Sequence, residues 1–168
     1  MDKEHIVHYL KAIGANLANN NQRGKILLVG GAAMLLVVGN RDATRDVDAL
    51  FESNSKAIRR AIVEVAAQEG LPYDWLNDDA KEFIYSKPPT TLWRRFGGLD
   101  IYMPSLDYIL AMKIVAGRNQ DIEDARAIVE HIGLQSPQDV SQMLQKYIPS
   151  QYLTANMQYI VEELFSER

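Results

Sequence analysis

Asp46-Val47-Asp48 sets two carboxylates two residues apart inside an apolar stretch. On a β-strand, side chains at i and i+2 leave the same face, so both acids are expected to point into one space. Carboxylates held that close repel each other unless a cation or a proton lies between them. Mg2+ suits such a pair, because it uses one or two protein carboxylates and takes its other oxygens from water and phosphate. Mn2+ accepts the same kind of ligand. Upstream, Gly30-Gly31 directly follows one apolar run and opens another. At a strand-to-helix turn, glycines let backbone N–H groups approach a phosphate closely, aided by the helix dipole. Taken alone, a Gly-Gly pair is more often a tight turn without a ligand; the two acids that follow reverse that balance. A third acid, Asp100, sits between Leu99 and Ile101. An acid in an apolar strand is costly to bury without a partner. Three carboxylates would suit the metal pair that phosphoryl transfer favours, with Asp100 placed to assist deprotonation of an attacking hydroxyl.

These residues need elements to hold them. Ile6, Tyr9, Leu10, Ile13 and Leu17 recur at helical spacing and predict a helix ending in Asn19-Asn20-Asn21. Lys25 to Val29 is too short for a helix and rich in branched residues, which predicts a buried strand. Ala32 to Leu36 reads as a short buried helix, Gly39 to Arg45 as a loop, and Val47 to Phe51 as the second strand. A helix from about Ser55 to Gln68 closes at Gly70. Leu71 to Pro89 is less regular, with Pro72, Pro88 and Pro89 marking turns. Thr91–Phe96 and Leu99–Met103 read as a hairpin around Gly97-Gly98. Helices are then expected through Ala116 with Ser105 as its N-cap, from an Asn119 cap to a stop at Gly133, from Ser136-Pro137, and from about Leu153 to Phe165. The result is an α+β fold, a small mixed β-sheet flanked by helices with a helical C-terminal part. Residues 1–104 are expected to form the core, including the N-terminal helix, and residues 105–168 to pack on it as one compact unit.

The order strand, Gly-Gly on a short helix, Asp-x-Asp on the next strand and a third acid on a later one resembles the nucleotidyltransferase superfamily of the DNA polymerase β type. The resemblance covers roughly residues 25 to 103. Within it, Arg41-Asp42-Ala43-Thr44-Arg45-Asp46-Val47-Asp48 resembles the Arg-x-x-Thr-x-Asp-h-Asp signature of bacterial AbiE-type toxin relatives. Ala111 to Arg118 is similar to the Lys-x-x-Ala/Val-x-x-x-Arg segment of that group, and Asp121 to Asp124 to the Asp-x-x-Asp after it. The resemblance implies that Lys113 and Asp121 belong to the active centre. Physically, Lys113 could neutralise a triphosphate as a point charge, and Arg118 could touch phosphate or pair with Asp121 or Asp124. Both cations could instead be ordinary solvated charges or internal salt-bridge partners. Acids in a first helical turn favour the dipole whatever their function. Arg41 is a reasonable phosphate contact, and Thr44 shapes the loop before the metal strand.

The implied activity is a Mg2+- or Mn2+-dependent transfer of a nucleoside monophosphate from an NTP to a hydroxyl, on tRNA or on a protein. Asp46, Asp48 and Asp100 would hold the metal, with Lys113 and Asp121 assisting. Gly30, Gly31, Arg41, Thr44, Lys113 and Arg118 would bind phosphate. A cognate antitoxin is an implied partner. The alternative is a nucleotidyltransferase-fold module that binds a nucleotide or a protein without turnover, within a toxin–antitoxin or phage-defence system. Ala32 motivates it, standing where many active members carry serine.

Bulk properties narrow the field further. The 168 residues, 47% of them hydrophobic, are enough for a folded domain with its own core. A formal charge of −4 disfavours indiscriminate nucleic-acid binding. There are no cysteines, hence no disulfides or thiolate metal sites, which agrees with a cytoplasmic home. The polar N-terminus does not read as a signal peptide, and the longest apolar run, Ile26 to Val38, is too short to span a membrane. His5, His8 and His131 show no metal spacing. Trp93-Arg94-Arg95-Phe96 could stack a base beside a phosphate contact, but such a strand more often buries its aromatic residues and leaves the arginines in water.

Overall fold

A computed structural model describes residues 1–83 and 86–166. The chain runs α1 (Lys3–Asn19), β1 (Gly24–Val29), α2 (Gly30–Ala33), β2 (Val47–Ser53), α3 (Ser55–Glu69), β3 (Leu76–Asn77), β4 (Thr90–Phe96) and β5 (Leu99–Pro104). It continues with α4 (Leu106–Ala116), α5 (Asn119–Ile132), α6 (Pro137–Tyr147) and α7 (Ala155–Glu163). Short 3-10 turns lie at Asp79–Phe83 and Ser150–Tyr152, and α2 runs straight into a π-helical turn over Met34–Val38. The α+β class expected from the sequence is the one observed.

Two compact units divide the chain: residues 1–82 with 90–104, and residues 83–89 with 105–166 among those described. In the first, the described strands form one mixed sheet in the order β3-β2-β1-β5-β4. β1 runs antiparallel to β2 and parallel to β5, so the β4–β5 hairpin adds to the far side of β1. Alternation divides the sheet's faces. Ile26, Leu28, Ala49, Leu99 and Ile101 are fully buried, and Ile58 of α3 lies against Gly24, which shares their face. Lys25, Asp48, Asp100 and Tyr102 leave the other face and are half-exposed. The apolar stripe of α1 (Ile6, Leu10, Ile13, Leu17) is completely buried, and Asp2 caps the helix by accepting a hydrogen bond from the His5 amide at 2.9 Å. Buried branched and aliphatic side chains such as these each contribute on the order of 2 kcal/mol.

Local signals place most boundaries. Gly70, Gly117 and Gly133 end α3, α4 and α5, and Ser136 caps α6 ahead of Pro137. Two expectations are corrected. Asn119 is the first residue of α5 rather than its cap, which falls at Arg118. The stretch read as irregular contains β3, only two residues long, paired in parallel with β2. A two-residue strand leaves no periodicity to detect.

In the second unit the buried positions are mainly aliphatic, among them Ile109, Ile114, Ile128, Val140 and Ile160. Tyr147 donates to Asp107 Oδ2 at 2.6 Å and Tyr108 donates to the Ser86 carbonyl at 3.0 Å. Burial, with the neighbouring Tyr147, pushes the Tyr108 hydroxyl up to about 12. Among the described residues no helix is long and apolar enough to cross a membrane.

Candidate nucleotide site

The glycine turn at the end of β1 is in close contact with the acid-bearing strand. Gly30 has φ +61°, and a Cβ added there would lie 2.6 Å from Asp48 Oδ2. A Cβ on Gly31 would lie 2.6 Å from Thr44 Oγ1 and 2.9 Å from Arg41 Nη1. Glycine suits both positions: the first has a left-handed backbone, and at the second a side chain would crowd Thr44 and Arg41. The turn therefore brings bare main chain against a carboxylate, a hydroxyl and a guanidinium.

The loop between α2 and β2 is what delivers Arg41 and Thr44. The Thr44 hydroxyl donates to the Asp46 carbonyl at 3.1 Å, and the Thr44 amide donates to the Met1 carbonyl at 2.9 Å. Thr44 thus shapes the approach to β2, as its position in the sequence suggests. Asp46 stands just before β2 and is exposed; Asp48 lies within it, half-buried and opposite Val29. Ala32 is fully buried, so its side chain faces the core, and Thr44 supplies a hydroxyl beside the glycine turn.

Asp100 is not brought to this place. It pairs with Lys25 across β5 and β1, whereas Asp48 pairs with Val29 across β2 and β1. The two acids share a face of the sheet but stand about 13 Å apart along β1 at the usual strand rise. Asp100 instead accepts from Arg95 Nε at 2.7 Å and from Arg23 Nη2 at 2.8 Å. Burial pushes its carboxyl up, but the hydrogen bonds from Arg95 and Arg23 together hold it below the ordinary range. Beside it, Lys25 pairs with Glu52 at 2.8 Å and lies 4.1 Å from the centre of the Tyr102 ring. Among the described residues no three His, Asp or Glu side chains come together to hold a metal ion. The structure does not bring Asp100 together with Asp46 and Asp48: parallel pairing of β5 with β1 in this register carries it away. The Asp48 carboxylate beside the glycine turn, with Asp46 two residues upstream, is a donor set that Mg2+ could use, with phosphate and water completing its shell.

Lys113, Asp121 and Arg118 belong to the second unit. Lys113 Nζ, on α4, lies 2.8 Å from Asp121 Oδ1 and 2.9 Å from Asp124 Oδ2, both on α5. The lysine and Asp121 are nearly buried, and Asp124 is wholly so. Asp121 also accepts from the Arg118 amide at 3.3 Å, which fixes the start of α5. Lys113 is thus held in internal ion pairs with both carboxylates. The Arg118 side chain is mostly exposed, 4.0 Å from Asp121.

The strand Thr90–Phe96 leaves its arginines in water but covers its aromatic residues only in part. Arg94 and Arg95 are exposed, while Trp93 and Phe96 are half-buried. A register shift between Leu92 and Arg94 breaks simple alternation, and the Trp93 and Phe96 rings meet edge-on at 6.4 Å. His8 meets Glu69 and His5 meets Asp2 at the surface.

Residues 7–136 match the family described as "Nucleotidyltransferase of unknown function (DUF6036)". The chain belongs to this family. The matched span takes in the glycine turn, Asp46 and Asp48, and the Lys113–Asp121–Asp124 cluster, so each candidate group lies inside the family's own boundaries. Membership supports nucleotidyl transfer as the reaction class, in agreement with the superfamily resemblance of residues 25 to 103. A comparison with curated proteins gives no match.

Asn77 is a polar neighbour of the acid-bearing strand. It lies on β3 directly opposite Asp48, and neither its type nor the spacing around it marks it out.

Proposed function

We propose that the chain transfers a nucleoside monophosphate from an NTP to a hydroxyl acceptor, using a site built on Gly30, Gly31, Arg41, Thr44, Asp46 and Asp48. The observation that carries this reading is the contact of the Gly30-Gly31 main chain with the Asp48 carboxylate, Thr44 and Arg41. Bare backbone lets phosphate oxygens come within hydrogen-bond reach, and the guanidinium offers planar donors to the same oxygens. Asp46 and Asp48 would hold Mg2+ or Mn2+, which when bound supplies charge neutralisation to the phosphates and to the leaving pyrophosphate. Thr44 fixes the Asp46 main chain and so positions the first carboxylate relative to the second. In the balanced reaction the acceptor oxygen bonds to the α-phosphorus, the bond to the β-phosphate bridging oxygen breaks, and the acceptor's proton passes to solvent or to a carboxylate.

The acceptor class follows the AbiE-type resemblance: a tRNA or a protein side chain, with a cognate antitoxin as partner and the cytoplasm as the setting. The test is incubation with each α-labelled NTP, Mg2+, and either total RNA or protein lysate. Label is expected in one acceptor pool and absent with Asp48→Asn. Absence of label from every pool, with NTP binding intact, would overturn the transfer.

That second outcome has its own support. Asp100, the acid cast as the assistant to deprotonation, is tied up by Arg23 and Arg95. A module that binds NTP without turnover needs only the glycine cradle and the two remaining acids.

A further inference from the structure

We infer that Asn77 is the third group of the metal–nucleotide site, presenting a neutral carboxamide oxygen beside Asp48; this rests on the proposed site at Gly30, Gly31, Asp46 and Asp48. β2 is flanked in the sheet by β1 and β3, and the residues opposite Asp48 are Val29 on one side and Asn77 on the other. Val29 is an apolar residue, 1% exposed, and offers nothing to a cation. Asn77 is the polar neighbour. Residues paired across adjacent strands share a face and stand about 4.8 Å apart. The neighbouring pair bears out the alternation, since Val47 and Leu76 are both buried.

The local turn sets how the carboxamide faces. The Asp79 amide donates to Asn77 Oδ1 at 3.1 Å, and Asn77 Nδ2 reaches the Asp74 carbonyl at 3.5 Å. The donor at Asp79 requires that the oxygen, not the nitrogen, face it. An amide oxygen has two lone pairs, so one is left for a cation or for a water on it. With two carboxylates and one neutral oxygen, the protein ligands just balance a divalent ion. A third carboxylate would leave a net negative site that holds the free ion more tightly. Asn77 therefore sets the site toward a cation that arrives with its nucleotide.

The experiment is Mn2+ titration followed by the electron paramagnetic signal of the free ion, on wild type, Asn77→Asp, Asn77→Ala and Asp48→Asn, with thermal unfolding to check each fold. Asn77→Asp keeps an acceptor for the Asp79 amide while adding a charged ligand. It is expected to tighten Mn2+ on the order of tenfold, and to keep that gain at about 1 M KCl, where the Debye length is about 3 Å. Asn77→Ala is expected to weaken binding severalfold. Mn2+ affinity in Asn77→Asp equal to wild type, or a gain that vanishes in high salt, overturns the inference, as does unchanged affinity in Asn77→Ala. The parent reading fails separately: Asp48→Asn would then bind Mn2+ as wild type does. Loss of binding in Asp48→Asn with both Asn77 variants unchanged would sink the role of Asn77 alone.

Discussion

Asp48 and Asp100 share a sheet face but pair with opposite ends of β1, at Val29 and Lys25 respectively. One acid closes on a glycine turn; the other is held by two arginines. Their separation divides the acids by role, and most of the expectations below follow from it.

Asp48→Asn and Asp100→Asn are expected to part company. The first removes a carboxylate from the cradle and should abolish Mn2+ and NTP binding. The second should leave both intact and reduce stability by roughly 1 kcal/mol or less, because its partner arginines are largely exposed. Isothermal titration of an NTP with Mn2+ into each variant measures the contrast. Equal losses in both would return Asp100 to the metal site.

Gly31→Ala should separate binding from folding. Its added methyl meets the ends of Thr44 and Arg41, both able to shift, and no positive φ is required there. NTP affinity is expected to fall at least tenfold with the melting temperature nearly unchanged. Gly30→Ala meets Asp48 and also strains a left-handed backbone, so it should lose about 1–2 kcal/mol of stability as well. Denaturant unfolding alongside titration gives both numbers.

Lys113→Met removes the cation between Asp121 and the fully buried Asp124. Removing the cation that two buried carboxylates share is expected to destabilise the fold by about 3–5 kcal/mol. Lost activity in this variant should therefore track lost folding, and urea unfolding will show it. A folded, fully stable Lys113→Met protein would refute the structural role.

The pH dependence follows from Asp100 and Asp78, both held below the ordinary carboxylate range. At Asp78, burial works against the shift and the Arg59 and Lys81 hydrogen bonds outweigh it. A carboxylate with a depressed folded-state pKa contributes stability above its unfolded value, about 3.9, and loses it as pH falls through the folded value. The stability gap between wild type and Asp100→Asn should thus stay constant from about pH 7 to pH 5 and narrow below about pH 3.9. Thermal melts across that range are the check; a gap that widens in acid contradicts the assignment.

The local features were legible because their causes are local. Gly30-Gly31 after an apolar run, Asp-x-Asp on the following strand, and helices ended by Gly70, Gly117 and Gly133 are fixed by backbone freedom and side-chain periodicity. Residue types alone also supplied the resemblance that family membership bears out at the level of reaction class. Which strands lie side by side, and in what register, is a long-range matter that no window of sequence contains. Register sent Asp100 to Lys25 instead of to Asp48, and it brought Asn77, from a two-residue strand, to the place beside Asp48. The ion pairs of Lys113 are likewise a product of packing, since its carboxylate partners come from the next helix.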